Sequence, residues 1–323
     1  MRIFLGNFEN NHAHDLGAAL EWTGLSAALA RASKVFLKPN FTFPQYTRGV
    51  TTSPAFLRDV LATLSESVDE VFVGESNGGY GSFLASEAFA GHGLLEICKE
   101  TQTTPMNLSE MESRIYSQGV NGKTTSVRLP RFLVEDVDLT VSMPVLKVHA
   151  MTTVSLSVKN LWGCCPVDLR LLQHAQLARK LRLIAELTKA RFGVIDAFYG
   201  LDNHGPMEGD ARLLGRYIVG DDLYGLDFLT ARMMGFDPNR IQHLGLISPN
   251  TRGDIRRGRT VSNEDVATLD WGFRLCLNLV DALSLACFHS DTLAKVVFDS
   301  PMTKPIYAII GRQPRRRLGT PPR

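Results

Sequence analysis

The sequence predicts an α/β protein: a largely parallel, helix-flanked sheet, in one lobe or two, with a pocket at the carboxyl ends of the strands. Three observations predict it. Short apolar runs rich in Val, Ile and Phe alternate with helix-like segments, the order that builds βαβ units. Several of these runs finish in polar residues: Lys38/Asn40, Glu75/Asn77, Lys147/His149, Asp196 and Asp221/Asp222. Ligands of parallel sheets gather outside the carboxyl ends of the strands, so the recurrence reads as one functional rim. Finally, 323 residues can bury a sizeable core, and the 44% hydrophobic and 21% charged fractions are those of an ordinary globular chain. Residues 1–310 read as one α/β domain with an excursion over 93–135, and 311–323 as a basic flexible tail.

Taken in order, Ile3 to Phe8 is a short opening strand. The NNHAHD segment places His12 and His14 two apart, a metal-pair spacing on a strand, but its Asn and Asp favour a turn. Leu16 to Ala32 is Ala/Leu-rich and helical. Val35 to Lys38 is a strand that opens into Lys38-Pro39-Asn40. Ser53 before Pro54 is a helix start, and the helix runs to about Glu66. Glu70 to Gly74 is the next strand, followed by a glycine turn that lacks a phosphate-loop lysine. Leu94 to Glu100 is helical, and Asn121-Gly122 marks a hairpin. Asp138 to Leu146 is a strand bent or placed at an edge by Pro144, because proline cannot donate to a ladder.

The stretch VSMPVLKVHAMTTVSLSVKNLWG, Val141 to Gly163, carries the densest chemistry. In extended chain Lys147 and His149 share a face. TTVSLSVKN alternates again, with Val154, Leu156 and Val158 on one side and Ser155, Ser157 and Lys159 on the other. Leu169 to Ala190 is a long helix that places Arg170 and His174 on one face. Phe192 to Ile195 and Tyr217 to Val219 are strands ending in Asp196 and in Asp221/Asp222, separated by the loop GLDNHGPMEG with His204. A helix begins near Leu223. Signals weaken after Phe236; Ile241 to Ile247 and Pro305 to Ile310 are strand candidates, and Trp271 to Phe288 is a buried amphipathic helix.

A net charge of +2 exerts no pull toward nucleic acid or an anionic membrane. The five cysteines, Cys98, Cys164, Cys165, Cys276 and Cys287, are odd in number and contain no CxxC, so neither a disulfide framework nor a zinc or iron–sulfur ligand set is indicated. The first residues contain no apolar signal region, and these features favour the cytoplasm. The oligomeric state is left open, a homo-oligomer included.

These motifs resemble the domain of unknown function 362 family. The matching elements are Lys38-Pro39-Asn40, Thr51-Thr52-Ser53-Pro54, Gly74-Glu75-Ser76 and Pro144 through His149. They continue through Ser157 to Gly163, His174, Asp196, Gly205-Pro206 with Gly209, and Asp221-Asp222 with Asp227. The resemblance implies an α/β fold and a shared polar pocket, and it supplies no reaction. Many members of the family look like iron–sulfur proteins through an attached ferredoxin-like module, which is missing from this sequence.

The functional expectation is an enzyme acting on a small anionic metabolite, a carboxylate in a biosynthetic pathway, by proton transfer, elimination, addition or isomerisation. His149 is the acid/base candidate, because its ordinary pKa lies nearest neutrality. Lys147 lowers that pKa or stabilises an enolate-like charge, and His174 is a second proton carrier. Lys38, Asn40, Lys159, Asn160, Glu75, Asp196 and Asp221 line the substrate site, with Lys38 and Lys159 holding the anion. No nucleotide motif is present, so the simplest form is cofactor-free. Two alternatives stand beside it: a metal enzyme using His149, His174, Asp196 and Asp221, and a non-catalytic ligand-binding or redox-accessory protein.

Overall fold

The computed structural model describes residues 1–8, 12–167, 170, 174, 176–245, 254–257, 269–277, 285 and 290–301. The strands are β1 (Arg2–Asn7), β2 (Lys34–Lys38), β3 (Glu70–Glu75), β4 (Thr104–Asn107), β5 (Ser113–Val120), β6 (Lys123–Pro130), β7 (Leu139–Ser142), β8 (Val145–His149), β9 (Thr153–Ser155), β10 (Ala190–Asp202), β11 (Asp210–Gly220) and β12 (Asp254–Arg257). The main sheet runs β12-β1-β11-β10-β7-β2-β3-β4, with β8 joined to β10 and carrying β9. Strands β4, β3, β2, β7, β10 and β8 are mutually parallel, which confirms the expected α/β architecture.

Period-2 alternation decides which layer each side chain joins. Val35 and Leu37 face one side with Val71, Val73, Val141, Val194 and Val219. Covering that side are α1 (His12–Thr23), α2 (Leu25–Leu29), α3 (Pro54–Ser65), α4 (Ala85–Gly91) and α5 (Leu94–Thr101). Phe36 faces the other way, into a core built with the β5–β6 hairpin, α6 (Arg131–Glu135) and α8 (Leu177–Leu187). Ile3, Leu5, Ile195 and Ile218 extend that second face against α9 (Leu223–Met233), α10 (Gln242–Gly245) and Phe273. The remaining helices are the single turn α7 (Ser157–Asn160) and α11 (Asp291–Phe298).

Several expectations hold. Asn121 and Gly122 both take positive φ, 47° and 71°, in the two-residue turn between β5 and β6. Pro144 separates β7 from β8. The helix expected over Leu16 to Ala32 is broken into two at Gly24, whose φ of 79° lies outside the helical range.

Others are corrected. The chain is helical from His12, so the turn expected there gives way to the first turn of α1. The run after Leu156 leaves the strand and becomes α7, because the Asp227 carboxylate accepts the Ser157 and Val158 N–H groups at 2.9 and 2.8 Å and so satisfies a helix start. The long helix of 169–190 is α8 alone, with Arg170 and His174 before it. Residues 242–245 are helical where a strand was expected. Residues 271–277 carry no helix, and most of the remainder of that expected helix, like the strand at 305–310 and the tail 311–323, lies outside the described residues.

The largest correction concerns direction. The short runs Phe192 to Ile195 and Tyr217 to Val219 are parts of two long antiparallel strands, β10 and β11. β11 therefore ends at the opposite rim from its parallel neighbours, with Gly220 beside Gly193 and Ile3 at the starts of β10 and β1.

Candidate functional site

Three parallel strands end together, at Lys38 of β2, Glu75 of β3 and Ser142 of β7, and the rim they form is continued by Asp196, which lies inside β10 beside Val145 at the start of β8. β2 and β3 run side by side in register, so their last side chains meet, and the Lys38 ammonium pairs with Glu75 and also donates to the Pro39 carbonyl at 2.6 Å. Both partners are buried. Gly163 closes over the pair: a Cβ there would collide with Glu75 Oε1 and stand 2.9 Å from Lys38 Cε. Lys38, expected to hold a substrate anion, is already neutralised inside the protein.

The amides are committed too. Asn160 donates to the Lys38 carbonyl at 2.8 Å and to Ser142 Oγ at 3.2 Å, and its Oδ1 accepts from Asn40 Nδ2 at 3.1 Å. Asn40 Oδ1 in turn accepts from Thr42 at 2.7 Å and from Lys147 Nζ at 2.9 Å. Lys38, Glu75, Asn40, Asn160 and Lys147 are thus one connected buried network, brought together as expected but serving as framework rather than as open ligands.

Lys147 is the unusual member. Its ammonium donates to Asn40 Oδ1, to Thr42 Oγ1 at 3.1 Å and to the Val50 carbonyl at 2.8 Å, so its three hydrogens meet three neutral oxygens. Burial pushes its pKa down to about 7, with Lys159 and Lys38 adding to the fall and Glu75 opposing it.

Beyond Lys147, toward solvent, stands an imidazole. His149, at the end of β8 and partly exposed, accepts the Met151 N–H on Nδ1 at 3.1 Å. Burial of the ring, then the charges of Lys159, Lys147, His174 and His243, hold its pKa well below the usual value. The ring is therefore neutral near pH 7, and an occupied Nδ1 puts its proton on Nε2. His174 is buried edge-on to Trp162, with ring centroids 5.6 Å apart.

Lys159, on α7 and partly exposed, has no hydrogen-bond or ion-pair partner among the described residues. Burial and then the Arg170 guanidinium push it down to about 8. Arg170 is held over the turn after β3, donating to Ser76, to the Cys165 carbonyl at 2.9 Å and to the Asn77 carbonyl at 2.8 Å.

The carboxylates divide. Asp196 accepts the Ser53 N–H at 2.8 Å and the Phe198 N–H at 3.0 Å, so it starts α3 from a distance; burial nonetheless raises its pKa. Asp221 lies on the opposite rim, accepting the Arg2 N–H at 2.6 Å, and is removed from the site by the reversal of β11. Among the described residues no three His, Cys, Asp or Glu side chains group as a metal needs, so the set His149, His174, Asp196 and Asp221 is not assembled.

Three contributors escaped the sequence reading of the site. Asp227, raised to about 7 by burial, organises α7 and with it Lys159 and Asn160. Arg170 was placed on the wrong element. His243 of α10 is buried with Nε2 unpartnered, and burial followed by the charge of Lys159 pushes it down to about 3. Nothing in the local pattern IQHLG marks it. Asp227 alone had a signal, as an acidic residue inside an otherwise apolar helix face.

Comparison with known proteins adds the following. Over 226 residues the chain is 26% identical to a thylakoid-associated protein of Synechocystis sp., covering 68% of each. Among solved structures it is similar to the lactate racemase apoprotein from Thermoanaerobacterium thermosaccharolyticum, at 15% identity and a TM-score of 0.44, covering 70% of this chain and 56% of that one. A protein from Thermotoga maritima matches at 12% identity and a TM-score of 0.36, covering 64% of this chain and 56% of that one. The chain thus spans little more than half the length of those two structures. No helix among the described residues is long and apolar enough to cross a membrane. A family model, Domain of unknown function (DUF362), matches residues 35–232, which hold the Lys38–Glu75 pair, Lys147, His149, Lys159, Asn160 and Asp227; the chain belongs to that family.

Proposed function

We propose that this protein is a small-molecule enzyme acting on a carboxylate-bearing metabolite by acid/base chemistry of the isomerase, lyase or addition type. One observation carries the reading: at the carboxyl rim the charges of Lys147 and Lys159 act on a neutral imidazole, Arg170 stands beside Lys159, and among the described residues the carboxylates of Glu75 and Asp196 are spent on internal partners. The surplus positive charge suits an anion and the enolate-like charge that forms when a proton leaves the carbon next to a carboxylate or carbonyl.

The roles follow from the hydrogen bonds. His149, with its proton on Nε2, donates to the oxygen where charge develops; a neutral imidazole is well matched to that task. Lys159, pushed down to about 8, keeps a useful fraction of neutral amine near physiological pH and receives the proton. Lys147 supplies positive charge from below without touching substrate, since its hydrogens are all engaged. Arg170 faces the carboxylate. The substrate is the partner this site requires, and the reading invokes no cofactor. The described cysteines are free thiols, which supports a reducing, cytoplasmic setting.

The test is exchange of substrate C–H protons in heavy water, followed by NMR over a panel of small hydroxy and oxo acids. The expected result is exchange or turnover by the native protein and its loss in His149→Ala at unchanged melting temperature. Ligand binding without exchange or product would support a binding protein instead, and full activity in His149→Ala would remove His149 from its role.

A further inference from the structure

Three lysines reach this rim, and the structure treats them differently. Lys38 is buried against Glu75. Lys147 is buried and bonded to three oxygens. Neither has a nitrogen lone pair that a substrate can approach. Lys159 stands partly exposed at the end of a one-turn helix, with no acceptor among the described residues, and with Arg170, His149 and His243 around it. Crowded by a guanidinium, and with no carboxylate partner among the described residues, that cation forms no structural ion pair there. It is an amine kept ready to lose its proton.

We propose that Lys159 is a nucleophile that forms an imine with the carbonyl of an oxo acid, the acid's carboxylate lying toward Arg170. The proposal rests on the acid/base reading of the site and deepens it: it names a carbonyl-bearing acid as the substrate class and makes Lys159 the nucleophile in place of the proton acceptor. The neutral amine nitrogen bonds to the carbonyl carbon. Its two protons end on the carbonyl oxygen, the carbon–oxygen bond breaks, and water leaves. The His149 Nε2–H hydrogen-bonds that oxygen while charge builds on it. The imine nitrogen then takes one proton from solvent, and the resulting iminium withdraws electrons from the neighbouring carbon, which acidifies its C–H bond, so that its proton passes to solvent water and the electron pair is held by the iminium as an enamine. No oxidant, reductant or metal enters the balance.

The physical support is the state of the amine. With Lys159 pushed down to about 8, against about 10.4 for a free lysine, the neutral fraction near pH 7 is roughly two-hundredfold larger than on a free lysine. His243, which feels the Lys159 charge and is itself held neutral by burial, adds no negative charge that would restore the ammonium.

The experiment uses the full chain with pyruvate as the probe, followed by reduction with sodium cyanoborohydride and peptide mass spectrometry. The expected result is an adduct on Lys159 formed at least about tenfold faster than on the exposed Lys99 or Lys123. It should be absent at that position in Lys159→Arg, whose fold is checked by circular dichroism. A ligand-independent arm measures competitive acetylation against pH, and Lys159 should titrate near 8. Adducts confined to exposed lysines, or no adduct at all, overturn the imine. If they do so while His149-dependent proton exchange persists, the acid/base reading stands alone; if exchange is also missing, both fall.

Discussion

Replacing Lys147 with methionine separates the two ways in which a buried ammonium acts on stability. Methionine has nearly the same length and needs no hydrogen-bond partner. The Asn40 Oδ1 keeps its bond from Thr42, but the Val50 carbonyl loses its donor, a loss of about 1–3 kcal/mol that does not depend on pH. The second effect does depend on pH. Lys147 is pushed down to about 7 in the folded protein, whereas an unfolded lysine titrates near 10.4. Between these values the unfolded chain binds a proton that the folded chain does not, so stability rises with pH across the window. The slope approaches about 1.4 kcal/mol per pH unit, and the span amounts to something on the order of 5 kcal/mol. Below about 7 both states hold the proton and the dependence ends. Lys159 is also lowered, but by its own burial and by Arg170, so its contribution is common to both proteins and cancels in their difference. The assay is urea unfolding followed by the fluorescence of buried Trp162, for native protein and Lys147→Met, at a series of pH values. The difference in unfolding free energy should climb in favour of the native protein from neutral pH toward pH 10 and be flat on the acid side. A difference that is flat throughout would refute the claim that this ammonium is held without a carboxylate at a real energetic disadvantage.

Three further outcomes are expected. Once a substrate is in hand, kcat/KM should rise with pH along a limb centred near 8, as Lys159 becomes neutral, and the limb should vanish with the activity in Lys159→Arg. Lys38→Met alone should destabilise by about 3–5 kcal/mol by stranding Glu75, and the double variant with Glu75→Gln should recover much of that loss; equal losses in single and double variants would argue against the pair. Asp227 is raised to about 7 from about 3.9 in an unfolded chain, so the folded state binds the extra proton and stability falls as pH rises between those values. Asp227→Asn should remove that decline, while losing about 1–3 kcal/mol because one amide oxygen cannot serve both the Ser157 and Val158 N–H groups, as urea titrations would report.

The parallel half of the sheet was legible because strands buried on both faces read as unbroken apolar runs, as in Val35 to Leu37 and Val71 to Val73. The polar ends of these runs placed Lys38 and Glu75 on one rim, although nothing foretold that they would pair and withdraw Lys38 from substrate. The antiparallel half was hidden. β10 changes register between Ala197 and Tyr199, and the first half of β11 is largely exposed, so the alternation fades where the strands continue. From that one blind spot came the misplacement of Asp221. The SVKN segment has the alternation of a strand, and only Asp227, seventy residues further along, turns it into a helix start. His243 lies in sequence whose local pattern says nothing about the packing that brings it beside Lys159.

The position of β1 has a consequence for how the molecule comes into being. β1 is held between β11 and β12, antiparallel to one and parallel to the other, with Ile3 opposite Gly220 and Arg2 opposite Asp254. It emerges from the ribosome with neither neighbour yet synthesised and must wait for most of the chain, which makes sheet closure a late, long-range and slow event. Cutting the gene down to the family segment would leave β11 with a bare row of amides and carbonyls along a hydrophobic strand, an edge that invites other chains to fill it. Material prepared that way should aggregate, whatever the state of the rim at Lys38 and Lys147.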